Sequence, residues 1–591
     1  MGQAIRPSQF ILSYGVGSII EAPNGPRLIP IFEKWDLSRT VFSGSGSTVT
    51  RFRIEDRNAS AQLNGGEIFE IPTNPQFDLP TAQPLFRTIR FPRWALCQRH
   101  RILYRLGSQG RSGCPSCGGR VGDAQDEAIR FVRACPNGHL DDVDWRGTVH
   151  GGRPCPGDTF DWVEETGSDL KSVRIRCRTC GAEASLQDIY YRTSKCSGYF
   201  PEEGGTEPCD EEASVILRSA TSLRIPEVIT SITIPPPALR IHILLSQPAI
   251  GKGLLSLAAS SNDPKGDLLR NLKTIAASRP DQIDPATIAE IERIPEDEVE
   301  KAINDLLAPA GGNKSMEQVK DEEFTALQDA AEHGYPPRPS TGPLFEVDRN
   351  AVVRLTHSSG LVFRVTPVKR LRVVMVQRGY RRPVRGPTYP DGRPIRLVET
   401  FYMKDGIRWY PGVALQGEGI FIDLPNGNPI FNEQRASLWF DRERGAHGTP
   451  EAYMYNPLFV WWHTLAHRLI YGLSIDSGYS SAAIRERVYF RERTRTRESS
   501  GGVLLYTSQQ GSDGSLGGLI ALCGQSEFSR VMAAAERNLN ACSNDPLCSE
   551  HLERNNGAAC YACLLVSETS CEFHNTYLDR LLLAGSLLRR S

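Results

Sequence analysis

A chain of 591 residues, 40% hydrophobic and 23% charged, is long enough for roughly three or four domains with cores of their own and is neither a peptide nor a small stapled scaffold. The net charge of -1 removes any argument for nucleic acid from bulk charge and leaves only local basic surface to consider. No apolar stretch reaches the roughly 18 residues of a bilayer span, and Met1 to Phe10 lacks an apolar signal core, so a cytoplasmic protein without membrane contact is expected.

Residues 1–92 carry short apolar runs, Phe10 to Leu12, Leu28 to Phe32 and Glu67 to Ile71, broken by Gly and Pro, which predicts a small β-rich N-terminal domain. Residues 93–215 hold nine of the fifteen cysteines and read as a zinc-binding region with two or three Cys/His sites. Residues 216–253 form a strand-rich connection. In 254–345 the pattern turns charged and periodic, as in Asp297-Glu-Val-Glu-Lys-Ala-Ile-Asn-Asp-Leu-Leu307, which predicts an acidic helical insert followed by a proline-rich linker at Gly334 to Pro343. Residues 346–455 read as a β-rich basic region with alternating strands between Val352 and Leu424. Residues 456–591 combine an apolar helix at Pro457 to Leu473 with a strand at Gly502 to Thr507, an α/β domain ending in a cysteine cluster. The fold class is thus α+β or α/β, multidomain, with several zinc-ribbon-like modules and a helical insert in the middle.

Fifteen cysteines in a secreted chain would suggest disulfides, but in a long chain of a reducing compartment their grouping into C-x-x-C pairs reads as metal binding. Cys97-x2-His100 and Cys114-x2-Cys117 lie thirteen residues apart and make a four-ligand ribbon. Tetrahedral zinc takes two ligands from each of two tight turns, and a closed set leaves no position for catalysis. Cys135-Pro-Asn-Gly-His139 is a second knuckle, for which Cys177-x2-Cys180 is the apparent complement. Cys155, Cys196 and Cys209 are then left over, with His150 as a possible fourth member of a third site and Cys155 equally readable as a small buried hydrophobe. Near the C-terminus Cys542, Cys548, Cys560, Cys563 and Cys571 are five thiols for four positions, with Cys560 and Cys563 the safest pair and Cys571 or Cys542 the spare; Cys523 reads as core. About three zinc ions are expected.

His463-Thr-Leu-Ala-His467 puts two imidazoles one helical turn apart, as in zinc metalloproteases, but Thr464 stands where their general base belongs. The pair is read as structural. Ser512-Asp-Gly-Ser-Leu-Gly-Gly-Leu519 is a glycine-rich turn that either receives a phosphate or merely needs its glycines, and no G-x-x-x-x-G-K-[S/T] loop exists, so an autonomous NTPase is disfavoured and no enzymatic activity is expected. Ten Lys or Arg between Arg364 and Arg396, and six arginines between Arg485 and Arg497, make two local basic stretches with interleaved tyrosines. They suit a phosphate backbone, with Arg378, Arg381, Arg382, Arg491 and Arg493 as the contacts, or else a strand face paired with the acidic insert.

Arg6-x-Ser8-Gln9, Tyr14-Gly-Val-Gly-Ser-Ile-Ile-Glu21, Ala134-Cys-Pro-Asn-Gly-His-Leu-Asp141, His463-Thr-Leu-Ala-His-Arg-Leu-Ile470, Gly478-Tyr-Ser-Ser481, Gly514-Ser-Leu-Gly-Gly518 and Gly557-Ala-Ala-Cys-Tyr-Ala-Cys-Leu564 together resemble the DrmB family of the DISARM anti-phage system. The C-terminal third is also similar to the cysteine-containing domain that ends Mrf-type repair helicases, without the helicase motor. The resemblance implies a non-catalytic partner of a DrmA-like superfamily-two helicase that binds DNA in host defence, alongside further defence-system subunits. In the Mrf-type pattern the metal cysteines correspond to Cys542 or Cys548, then Cys560, Cys563 and Cys571, a spacing this chain does not match closely. A scaffold that binds protein partners while only the motor touches DNA is the alternative.

Overall fold

The computed structural model describes residues 5–23, 25–35, 52–77, 80, 84–107, 113–117, 126–165, 169–233, 240–245, 250–278, 283–307, 315–335, 345–384, 386, 394–449, 452–494, 498–509, 517–550 and 555–588. The chain forms two compact units, each assembled from three separate stretches: residues 1–55, 63–230 and 375–413 in the first, and 56–62, 231–374 and 414–591 in the second. The fold class is mixed α and β. Among the described residues no helix is long and apolar enough to cross a membrane.

The first unit is built from small antiparallel sheets. Ile19–Ala22 and Gly25–Leu28 form a hairpin with Ile89–Arg90 on its edge. A six-stranded sheet runs in the order Glu183–Ser185, Val173–Cys177, Thr159–Glu164, Ile102–Arg105, Trp94–Cys97 and Asp126–Ala128. A four-stranded sheet follows the order Ser194–Lys195, Glu212–Leu217, Phe131–Ala134 and Leu140–Asp142. Trp94, Leu103, Phe160, Ile175 and Leu186 make one small core, and Val132, Leu140 and Ile216 contribute to another. The run Phe10 to Leu12, expected as a strand, is the end of the helix Pro7–Leu12. Pro7 occupies its first position and the Gln9 side chain accepts from the Arg6 N–H at 3.1 Å, so start signals prevail over the short apolar run.

In the second unit the strand Ser500–Gln509 pairs antiparallel with Ile484–Arg491 on one side and with residues 416–423 on the other. The apolar helix Pro457–Asp476 lies on this sheet, started by Pro457 and by Asn456, whose side chain accepts from the Leu458 N–H at 3.0 Å. Trp461, Trp462, Leu465, Leu469 and Leu473 are fully buried there with Val503, Leu505 and Phe363. At about 1.5–3 kcal/mol for each large buried side chain, this helix is the anchor of the unit. The predicted helical region is present as Lys252–Ala259, Pro264–Ser278, Pro285–Arg293, Glu296–Leu307 and Met316–His333. Leu255, Leu268, Leu272, Ile291, Val299 and Ile303 give it a core of its own. Residues 336–343 of the expected linker lie outside the described residues.

Candidate metal centres

Five groups of donor side chains, each with its ligand atoms within 4.8 Å of one another, occur among the described residues. All cysteines are free thiols. In the first group Cys97 ends the strand Trp94–Cys97, His100 sits in the turn before Ile102, and Cys114 and Cys117 follow on a second turn. The His100 Nδ1 lies 3.7 Å from both Cys97 Sγ and Cys114 Sγ, and the Ser116 N–H donates to Cys114 Sγ at 3.4 Å. The structure brings together the four residues expected from spacing.

The second knuckle finds a different complement from the one expected. Cys135 and His139 meet Cys196 and Cys209, not Cys177 and Cys180. The cause is strand pairing: Ala134 lies opposite Ser214 and Ser194 opposite Ala213, so the residues just outside those strands converge at one end of the sheet. Cys135 Sγ is 3.2 Å from His139 Nδ1, and the His139 Nε2 meets Glu207 at 2.9 Å, a carboxylate that fixes the imidazole tautomer. Gly138 holds the knuckle at φ +92, with Val398 so close that any Cβ would lie 2.2 Å from it. A hydrogen bond with the Cys135 thiol, followed by His139, pulls Cys196 down to about 4 although burial opposes it, while Cys135 is pushed up as the partner that keeps the proton.

Cys177 and Cys180 join His150 and Cys155 in a third group, so Cys155 is a member and not a spectator. Phe160 pairs with Cys177 across the strands, which places the end of Val173–Cys177 beside the segment that carries Cys155. Cys155 Sγ is 3.9 Å from Cys177 Sγ, and Cys155 and Cys177 accept from the N–H groups of Gly157 and Thr179 at 3.3 and 3.4 Å. A Cβ at Gly157 would lie 2.7 Å from the Cys177 sulfur, so glycine is what lets the backbone approach. Burial raises the Cys177 thiol, but the N–H donors of Cys180 and Thr179 bring it down to about 6. His150 donates from Nδ1 to the Arg146 carbonyl at 2.7 Å and leaves Nε2 buried without a hydrogen-bond partner.

The fourth group is Cys542, Cys548, Cys560 and Cys563, with sulfur separations of 3.5 Å between Cys542 and Cys560 and 3.7 Å for Cys548–Cys563 and Cys560–Cys563. Cys542 is therefore the fourth thiol and Cys571 lies elsewhere. Zinc–sulfur bonds of about 2.3 Å put the sulfurs of a tetrahedron about 3.8 Å apart, and sulfur and nitrogen about 3.6 Å apart. The observed separations fit that size, and the orphaned His150 Nε2 is the atom a metal would satisfy. These residues therefore suit zinc, which would hold strand ends and turns together with no coordination position left for chemistry.

The fifth group, His463, His467, Glu486 and Cys571, is fully or almost fully buried in the second unit. Thr464 is structural, donating to the Val460 carbonyl at 2.7 Å and accepting from the Asp579 N–H at 2.9 Å. The carboxylate beside the histidine pair comes from Glu486 on the neighbouring strand, where strand alternation hid it among arginines. Burial, then Glu486, pushes the Cys571 thiol well above its usual range. Cys523 is core, with its thiol raised to about 12 by burial.

Four arginines of the basic stretches, Arg364, Arg382, Arg487 and Arg491, are buried inside the protein. Arg382 is 0% exposed and donates to the carbonyls of Gly138, Leu223 and Gly17 at 2.9, 2.7 and 3.2 Å. Arg491 is buried against Asp321, Thr325 and the Phe324 ring, and donates to Gln328 at 3.1 Å. Both guanidinium groups are buried and turned inward, so neither is presented at the surface to a phosphate, unlike the contacts expected from sequence. Arg378 pairs with Glu399 and Arg381 with Glu227, each at 3.1 Å, and Arg493 is 73% exposed beside Glu498 at 3.1 Å. Arg487 makes a two-pronged pair with Glu323 at 2.7 and 3.0 Å, so the acidic helix Met316–His333 covers the arginine face of Ile484–Arg491. Arg495 and Arg497, and residues 512–516 of the glycine-rich turn, lie outside the described residues.

An α+β chain with several closed Cys/His quartets at strand ends and turns has the make-up of a zinc-binding protein. Residues 465–564 match the model of the MrfA Zn-binding domain, a span that includes Cys542 and Cys563 and stops short of Cys571. Residues 6–225, which carry the other three quartets, match a domain of unknown function, DUF8724. The chain is similar to DISARM protein DrmB of Bacillus paralicheniformis, with 27% identity over 583 residues, 90% of this chain and 94% of that relative. The resemblance read from the scattered motifs is thus a resemblance of nearly the whole sequence.

Proposed function

We propose that the chain is a DrmB-like subunit of a DISARM anti-phage defence complex, a non-catalytic cytoplasmic protein that docks on a DrmA-like superfamily-two helicase. The observation that carries this reading is the near full-length similarity to DISARM protein DrmB combined with four quartets whose geometry suits zinc. Each quartet would hold one zinc ion, four in all where spacing alone suggested about three. The ions would stiffen hairpins that face a partner, with the motor and its ATPase supplied by the helicase. In cells carrying the complete defence system, Cys560→Ser should abolish protection against phage plaques and release the subunit from its helicase. Retained protection with the metal gone would remove zinc from the proposed role.

Direct DNA contact, if made by this subunit, would fall to Arg493, Arg378 and Arg381. A protein-binding scaffold is favoured by one observation, the internal pairing of Arg364, Arg382, Arg487 and Arg491. Filter binding of duplex and single strands by the isolated subunit separates the two. Phosphate contact predicts affinity that falls steeply with salt, and affinity absent at low salt leaves the scaffold.

A further inference from the structure

The four atoms that converge in the core of the second unit are ligand atoms with too few protons to satisfy one another. His463 and His467 lie one turn apart on the helix Pro457–Asp476, with their Nε2 atoms 3.1 Å apart. Glu486 Oε1 is 2.8 Å from His463 Nε2 and 3.4 Å from His467 Nε2, and Cys571 Sγ is 3.3 Å from His463 Nε2. His467 donates from Nδ1 to the Leu564 carbonyl at 2.9 Å, which leaves its Nε2 as a bare lone pair turned into the cluster. Cys571 Sγ accepts from the N–H groups of Phe573 and Asn575 at 3.3 and 3.2 Å, the backbone support given to the cysteines of the quartets. Glu486 Oε2 is buried with no hydrogen-bond partner.

Neutral imidazoles and a thiol bring at most two protons, on His463 Nε2 and Cys571 Sγ, to this set of acceptors. One divalent ion takes a lone pair from all four ligand atoms at once, with His463 then carrying its proton on Nδ1, a buried atom without a hydrogen-bond partner. Bonds of about 2.0–2.1 Å to nitrogen and oxygen and about 2.3 Å to sulfur place tetrahedral nitrogens about 3.3 Å apart and nitrogen and sulfur about 3.6 Å apart, close to what is found. A thiolate and a carboxylate also cancel the charge of a divalent cation, so the ion is not buried as an uncompensated charge. We propose that His463, His467, Glu486 and Cys571 form a fifth metal site that takes one zinc-class ion and pins the apolar helix, the strand Ile484–Arg491 and the C-terminal segment to one another. The mixed imidazole and thiolate set selects zinc and its neighbours over magnesium or calcium. Four buried protein ligands make the site structural, which also explains why Thr464 can stand where a protease needs its base.

This site is independent of the quartets proposed above, and the two can fail separately. Diffraction from crystals of the full chain, measured above and below the zinc edge, should show an anomalous peak about 2.0–2.3 Å from all four atoms, in addition to peaks at the quartets. Peaks at the quartets with none here overturn the fifth site alone, and no peak anywhere overturns both. Metal analysis gives a second reading: Cys571→Ser and Glu486→Gln should each lose one equivalent per chain and keep the rest. An unchanged count in both variants contradicts the proposal, and if either variant fails to fold, the wild-type map decides.

Discussion

The quartets of the first unit and the histidine-rich cluster of the second share cysteine and histidine donors, with Glu486 added in the cluster, in opposite settings. The quartets sit at strand ends and turns over small cores, with Cys180 exposed and Cys117 half-buried. The cluster lies inside the apolar core of the second unit, with the rings of Phe459 and Phe573 packed against His463. Small sheets bury too little apolar surface to persist alone, so there a metal would substitute for core, whereas in the second unit it would reinforce a core already made. The largest effect should therefore come from the first unit. Cys177→Ser should release one zinc and open its hairpin to rapid amide exchange while the helix Pro457–Asp476 stays protected, because structural zinc contributes on the order of 10 kcal/mol to folding of small modules. Equal protection of the hairpin in the variant would contradict the contrast.

Arg487→Ala should come next, costing about 3–5 kcal/mol in urea unfolding, since it strands Glu323 as a buried carboxylate 1% exposed. A loss under about 1 kcal/mol would show that the acidic helix does not depend on this pair. Glu207→Gln removes the carboxylate behind His139 and should weaken zinc retention at that quartet by about 10–100-fold in competition with a chelator, with the fold preserved. Unaltered retention would mean that Glu207 has no orienting role. Smallest of all, Arg493→Ala should change stability by less than about 0.5 kcal/mol, because its pair with Glu498 is exposed on both sides. A larger loss would show that Arg493 is held by more than that pair.

What could be read from sequence depended on how local the ligands are. Cys97, His100, Cys114 and Cys117 were legible because both pairs stand on consecutive turns. The ligands at 135 and 139 could not be matched to 196 and 209 by spacing, because their meeting is decided by the pairing of Phe131–Ala134 with Glu212–Leu217, residues 80 to 86 positions apart in the chain. The apolar helix and the helical region were plain from periodicity. The interleaving of two units was not, since long strands continue apolar alternation without a break. Arginines at 487 and 491 looked like a DNA face because charge counts ignore alternation: these side chains turn toward Glu323 and Asp321, while Glu486, next to Arg487 in sequence, turns to the histidines.

The central claim, that Cys/His quartets hold zinc as structural rivets, is tested most directly by counting metal. Elemental analysis of the full chain, purified without added zinc, should find at least four equivalents, released stepwise by a thiol-modifying reagent as the first unit loses order. Two equivalents or fewer, in a protein that keeps its amide protection, would contradict it.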